Sequence, residues 1–204
     1  MYGIYEGGKI IAQFVVPLAV RSNHPVFASD TLSLSRRISR RTAQRWEIET
    51  RLEPLSHTAQ ELFVHMVTKG YSNTFTIIMP QNYGADQART SSSTPTTTGT
   101  AALNTSFVTL TTSSNTGLIP KGTFIKFSNH TKIYLTTTDV LNSTIGTTMS
   151  FYPPLRTAVP AGTSFTFKHD VQMTCLYDLD TLSGMSFTNG ILQDMGQVRI
   201  LEAV

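Results

Sequence analysis

Five arginines, Arg36, Arg37, Arg40, Arg41 and Arg45, fall within ten positions and form the densest concentration of chemistry in the chain. Guanidinium groups at that density suit a polyanion or a carboxylate-bearing surface, because their charge is permanent and their planar fork matches phosphate and carboxylate oxygens. In extended backbone Arg36, Ile38 and Arg40 share one face, while Arg37, Ser39 and Arg41 share the other. Neither face is then a dry core face, so the segment is expected to project from its domain or lie on its surface. Two readings stand level here. One is a contact with a polyanion or another subunit; the other is a solvated hairpin whose arginines pair with Glu47, Glu49 and Glu53.

The remaining residues with chemical potential do not assemble into a signature. His24, His57, His65, His130 and His169 are scattered, with no HExxH motif and no paired ligands. His65 lies off the apolar stripe of its helix and reads as a surface or boundary histidine. Asp178 and Asp180 with Gly184 faintly resemble a calcium loop, but Leu182 stands in a ligand position and no Glu closes it, so a capped turn is expected. No serine lies in a G-x-S-x-G elbow and no glycine run cradles a phosphate. Cys175, the one cysteine, reads as a small buried hydrophobe. No catalytic residue, cofactor site or metal site is expected, and the chain does not read as an enzyme.

Behind the arginines lies strand, helix, strand: RWEIETRLE, HTAQELFVHMVTKG and NTFTIIMP, spanning residues 45–80. Ala59, Leu62, Phe63, Met66 and Val67 recur at helical spacing and are expected to face a core. Thr58 with Glu61 forms a capping box, and Gly70 is the stop. Before this unit, MYGIYE and KIIAQFVV flank Gly7-Gly8 as a hairpin, with Pro17 and Pro25 expected in edge or loop geometry. The apolar run IIAQFVVPLAV is read as strand, not signal peptide, and no run approaches the roughly 18 apolar residues of a membrane span.

After Pro80 the texture changes. Residues 85–100 are Thr- and Ser-rich with no apolar period, a linker by composition, and no Glu occurs between Leu62 and Leu201. Five short strands follow, in SFVTLTT, GTFIKFS, TKIYLTTTDV, GTTMSFYP and GTSFTFKHD. The segments IPKGTFIKFS and VPAGTSFTFK echo each other, through shared turn chemistry or duplication. Most of the aromatics here, Phe107, Phe124, Phe127, Tyr134, Phe151, Tyr152, Phe165 and Phe167, are expected in a core. From Val171 onward acidic residues return, and Met173, Cys175 and Tyr177 alternate with polar partners. The expected fold is therefore mainly β. Residues 1–84 and 171–204 form a β-sandwich-like domain with one short α-helix. It is interrupted by residues 85–170, an inserted small five-stranded β-barrel of OB-like type, with a small sandwich as its rival.

Charged residues make up 14% of the chain, below the roughly 25% of typical soluble domains, and the net charge is +3. That balance alone does not call for a nucleic-acid partner.

The arrangement resembles the distal tail proteins of long-tailed, non-contractile bacteriophages. Arg45, Trp46, Ile48 and Glu49, the helix ending at Gly70, then Phe75, Ile77 and Pro80 and a late return strand carry the likeness. Chain length and the inserted barrel look close to those of the T-five-like members. The resemblance covers residues 1–84 and about 171–204. It implies a structural virion protein, a homo-oligomeric ring (a hexamer) at the tail tip, made and assembled in the host cytoplasm. Its implied partners are the tail tube and the tail-tip or baseplate proteins, with DNA only in transit through the lumen and no membrane insertion. Family members often carry a galectin-like domain after the ring domain; the inserted barrel departs from that pattern, so no carbohydrate-binding role carries over. Two alternatives remain, a host-surface module binding a glycan or envelope component, and single-stranded nucleic-acid binding by the barrel.

Overall fold

Gly7 and Gly8 both take positive φ, +58° and +86°, as a two-residue hairpin turn requires, and fold β1 (Gly3–Glu6) onto β2 (Lys9–Asn23). The computed structural model describes residues 2–30, 36–40, 43–55, 59–70, 73–81, 95–111, 118–141, 147–168, 170–181, 186–188, 191–194 and 196–204. After β2 come β3 (Val26–Asp30), β4 (Arg36–Arg40), β5 (Arg45–Pro54), α1 (Ala59–Lys69) and β6 (Phe75–Ile78). The middle of the chain supplies β7 (Thr96–Thr97), β8 (Phe107–Thr111), β9 (Leu118–Ile119), β10 (Phe124–Phe127), β11 (Ile133–Thr136), β12 (Val140–Leu141), β13 (Thr147–Tyr152) and β14 (Phe165–Thr166). The last part gives β15 (Gln172–Tyr177), a 3-10 turn at Leu179–Thr181, β16 (Ser186–Thr188), β17 (Ile191–Asp194) and β18 (Gln197–Glu202).

Strands from the two ends of the chain close a barrel in the order β1-β2-β5-β18-β15-β6. Its inward positions are alternate residues: Trp46, Ile48 and Leu52 on β5, Met173, Cys175 and Tyr177 on β15, and Val198 and Ile200 on β18. The mainly-β class with one helix and a closed barrel matches the sequence pattern. The barrel has six strands, however, not five, and it is built by the flanking segments where a sandwich was expected. Sequence alternation specifies a half-buried strand equally in a sandwich or a barrel; which one forms depends on whether β1 and β6 meet, as they do from Gly3↔Ile78 to Tyr5↔Thr76.

Residues 96–166 build a second sheet, β14-β10-β11-β13-β8-β7, with its own core around Phe127, Tyr134, Phe151 and Phe165. All five expected strands are present. The sixth, β7, comes from the Thr-rich stretch read as linker, and it brings the edges together: Thr96 bridges Ser164, and Thr97 N–H donates to Thr163 O at 3.0 Å. The echoed segments share a turn. Gly122 (φ +80°) and Gly162 (φ +78°) occupy equivalent places, and the hydroxyls of Thr123 and Thr163 donate to Pro120 O and Pro160 O at 2.6 and 2.7 Å. The chain departs after Ile78 and returns at Gln172, and these two residues are register partners across the β6–β15 ladder.

Two expectations need correction. Pro17 lies inside a long barrel strand, neither on an edge nor in a loop. It is tolerated because β2 bulges there: Val15 faces Arg51 and Ala19 faces Glu49, so the residue without an amide falls where the ladder is interrupted. On α1 the buried residues are Leu62, His65 and Met66, whereas Phe63, Val64 and Val67 are exposed. Apolar side chains cover somewhat more than half of this helix's circumference, so periodicity left two adjacent stripes available. Docking against the barrel selected the one containing His65. The Thr58 cap lies outside the described residues.

Candidate functional site

Strands β3 and β4 pair only with each other among the described ladders, from Val26↔Arg40 to Asp30↔Arg36, and so form a two-stranded ladder distinct from the closed barrel and from the second sheet. Arg36, Arg37 and Arg40 lie on β4 of this ribbon. Arg41 lies outside the described residues. Arg45 is set apart from them: it opens β5, and its Nε donates to Glu47 Oε1 at 3.0 Å.

Of the glutamates expected as partners for the cluster, Glu47 pairs with its last member, Arg45. Glu47 accepts from Asn23 Nδ2 at 2.5 Å, from Arg45 and, in a shorter contact, from Arg199. Burial pushes the Glu47 carboxyl up, but the hydrogen bonds from Arg199, Asn23 and Arg45 outweigh it and hold the group below the ordinary value. Glu49 pairs with Arg21 at 3.1 Å and accepts from Gln197 at 2.8 Å. This outer-face charge ladder across β2, β5 and β18 is one side of the barrel wall.

The rim from which the ribbon leaves is also where the second sheet sits. Strands β10, β11 and β13 carry apolar residues that pack on both of their faces. Ile125, Phe127, Tyr134 and Phe151 enter the inserted core, while Phe124, Ile133, Leu135 and Tyr152 pack onto the six-stranded barrel's core. Trp46 meets Phe124 and Tyr152 edge-on, at 5.3 and 6.3 Å between centroids, and its Nε1–H donates to Ile133 O at 2.9 Å. This double burial explains why Phe124 and Ile125 are adjacent apolar residues in sequence.

A buried ion pair runs through that junction. Lys132 Nζ donates to Gln44 Oε1 at 2.6 Å, to Gln44 O at 3.2 Å and, more closely, to Glu202 Oε2. The Glu202 carboxylate also accepts from the backbone amides of Trp46 at 3.0 Å and Ile133 at 2.8 Å. Lys132 is 2% exposed and its ammonium is pushed down to about 8 by burial, against the opposing pull of Glu202. At the chain's crossing point, Gln81 acts as a surrogate strand residue: Nε2 donates to Phe124 O at 2.7 Å and Oε1 accepts from Phe124 N at 2.9 Å. Both seams bind the insert to the barrel with satisfied polar contacts.

At the barrel's other end a cleft of about 480 Å³ opens between the β1–β2 turn and α1, with Glu6, Lys9, Ile11, Glu61, Val64 and His65 among its lining residues. Contrary to its surface reading, His65 is fully buried. Its Nδ1 lies 2.6 Å from Glu6 Oε2, and its ring stands edge-on to Phe75 and Tyr177. Burial pushes the imidazole down despite Glu6. The neutral ring therefore donates Nδ1–H to Glu6 Oε2. Lys9 and Glu61 pair at 2.7 Å across the cleft mouth.

Sequence reasoning did not find Lys132, Glu202, Gln44, Gln81 or the His65–Glu6 pair. One signal was present for Glu202: it continues the inward parity of Val198 and Ile200. Among the described residues no group of three or more His, Cys, Asp or Glu is placed to hold a metal, and no helix is long and apolar enough to cross a membrane. No protein-family model matches the chain, and no curated protein does.

Proposed function

We propose that the chain is a structural ring protomer at the distal end of a long, non-contractile phage tail. There it links tail tube to tail tip or baseplate around a lumen that DNA crosses. The observation that carries this reading is the β3–β4 ribbon, an arginine-bearing ladder standing apart from a closed barrel. A closed barrel has no edge strand to offer a neighbour, so contacts between copies fall to such an appendage. The clamped insert supports the same role: the Lys132–Glu202 and Gln81 seams tie the barrel and the second sheet together, an arrangement suited to bearing load. The test is electron microscopy of virions that carry this chain, labelled with an antibody raised against it. Label at the tail tip, encircling the axis, is expected. Label confined to the capsid or tail shaft, or intact tails assembled without the chain, refutes the reading.

A further inference from the structure

Lys132, Gln44 and Glu202 bring a nucleophile, an electrophile and a proton carrier into one buried cluster at the junction of the barrel and the second sheet. Lys132 and Gln44 are each 2% exposed and Glu202 is 3% exposed, so water does not compete there. Lys132 Nζ donates to Gln44 Oε1 at 2.6 Å, and the carboxamide carbon, one carbonyl bond beyond, is therefore no more than about 3.8 Å from the amine. That is close to the roughly 3–3.5 Å separation of a near-attack pair. The other end of the carboxamide is held as well, Gln44 Nε2 donating to Ser22 Oγ at 3.1 Å. Glu202 Oε2 accepts from the same ammonium, and the amides of Trp46 and Ile133 hold the carboxylate in place. Burial pushes the ammonium down to about 8, which supplies the neutral amine that attack requires. Gln44 and Glu202 also line a cleft of about 500 Å³, with Arg45 and Arg156, through which a small leaving group can depart.

We propose that Lys132 and Gln44 join through an intramolecular isopeptide bond, formed by the folded chain itself with Glu202 as the proton carrier. The ammonium passes a proton to Glu202 Oε2, and the freed lone pair of Nζ attacks Gln44 Cδ. The carbonyl pair moves onto Oε1 and returns as the Cδ–Nε2 bond breaks. Of the three ammonium protons, one stays on the new amide nitrogen. The other two pass through Glu202 to Nε2, which departs as ammonium. Glu202 ends as the carboxylate it began as, and nothing is oxidised or reduced. The carboxamide is the electrophile because the alternative, the Glu202 carboxylate, repels a nucleophile. The hydrogen-bonded ion pair is the state before this step, in which Lys132 still titrates. The product ties together positions 88 apart, just before β5 in the barrel and just before β11 in the second sheet, and makes docking of the insert permanent.

The experiment is intact-mass spectrometry of the purified full chain, followed by peptide mapping. Chain kept folded at a pH at or above the Lys132 value of about 8 is incubated and sampled over time. It is expected to lose about 17 Da, one ammonia per molecule, and to yield a branched peptide joining Gln44 to Lys132. Chain held in denaturant over the same period is expected to yield no such peptide. Glu202→Gln is expected to slow the loss about 100-fold or more, the usual worth of a placed acid–base group, and equal rates refute Glu202 as the carrier. The unaltered chain decides the matter whether or not that variant folds. An unchanged mass after prolonged incubation overturns the proposal, as does a loss mapped to residues other than Gln44 and Lys132. A loss of about 18 Da mapped to Lys132 and Glu202 also overturns it, because the carboxylate is then the electrophile. None of these outcomes bears on the ring reading, which is tested by where the antibody label falls on the virion.

Discussion

Replacing Lys132 by Met is the most informative perturbation of the junction. Methionine roughly keeps the volume but removes the ammonium, leaving the Glu202 carboxylate at 3% residue exposure with only the amides of Trp46 and Ile133. Breaking a buried ion pair on one side costs about 3–5 kcal/mol, and the two retained amide donors place this site near the lower figure, about 3 kcal/mol. Glu202→Gln is expected to cost a similar amount, because its amide nitrogen then confronts donors. In Lys132→Met with Glu202→Gln neither charge remains, so the double variant should be more stable than the sum of the singles predicts by more than about 1 kcal/mol.

Trp46, the chain's one tryptophan, sits in this seam and makes the assay specific. Denaturant titrations followed by Trp46 emission report undocking of the insert, and far-UV circular dichroism reports loss of strands. In the single variants the emission transition is expected to move to lower denaturant, ahead of the dichroism. A pH arm adds a second readout. The Lys132 pKa is about 8 in the fold against 10.5 ordinarily, so between those values the unfolded chain holds a proton that the folded chain has released. Raising the pH through that window therefore favours the folded state, by at most about 3 kcal/mol from this group, and Lys132→Met should abolish that component. Additive single variants with an unchanged alkaline slope would refute the assignment of the seam to this pair.

Three further outcomes follow from the geometry. A Cβ on Gly3 would stand 1.9 Å from Ala12 O, backbone against backbone in the β1–β2 ladder, so Gly3→Ala is expected to cost about 3 kcal/mol or more in chemical denaturation. His65 is held below its ordinary 6.5, so the unfolded chain protonates first on acidification; stability is lost below pH 6.5, and His65→Phe should flatten that slope in denaturation midpoints taken across pH. Cys175 is fully buried, its thiol is pushed well up by burial, and its Sγ donates to Phe75 O at 3.4 Å, so a thiol reagent should label it only at the rate of unfolding.

What the sequence disclosed, and what it hid, divide along a physical line. Signals of short range were legible: the Gly7-Gly8 hairpin, the helix from Ala59, the P-x-G-T turns at Gly122 and Gly162, and the alternation Met173, Cys175, Tyr177. Features that depend on distant partners were not. Whether β1 closes on β6, which stripe of α1 turns inward, and why Lys132 is sequestered are set by contacts across 59 to 79 positions of chain, such as His65 with Glu6, Tyr2 with Gln81, and Lys132 with Glu202 across 70.

The buried polar residues share one property that accounts for their silence in sequence. Lys132, Glu202, Gln44 and Gln81 each carry hydrogen bonds to backbone groups or side chains that become neighbours only when the insert docks. Read singly, each looks like an ordinary surface residue beside an apolar one. Together they make docking geometrically exact where apolar packing of Phe124, Ile133 and Trp46 alone would permit sliding, because any shift strands the Glu202 carboxylate and the Phe124 amide without partners. Under the proposed ring function, that exactness matters more than stability. If the insert could slide, its orientation would vary from copy to copy, and a ring built by the barrels would present an irregular outer face.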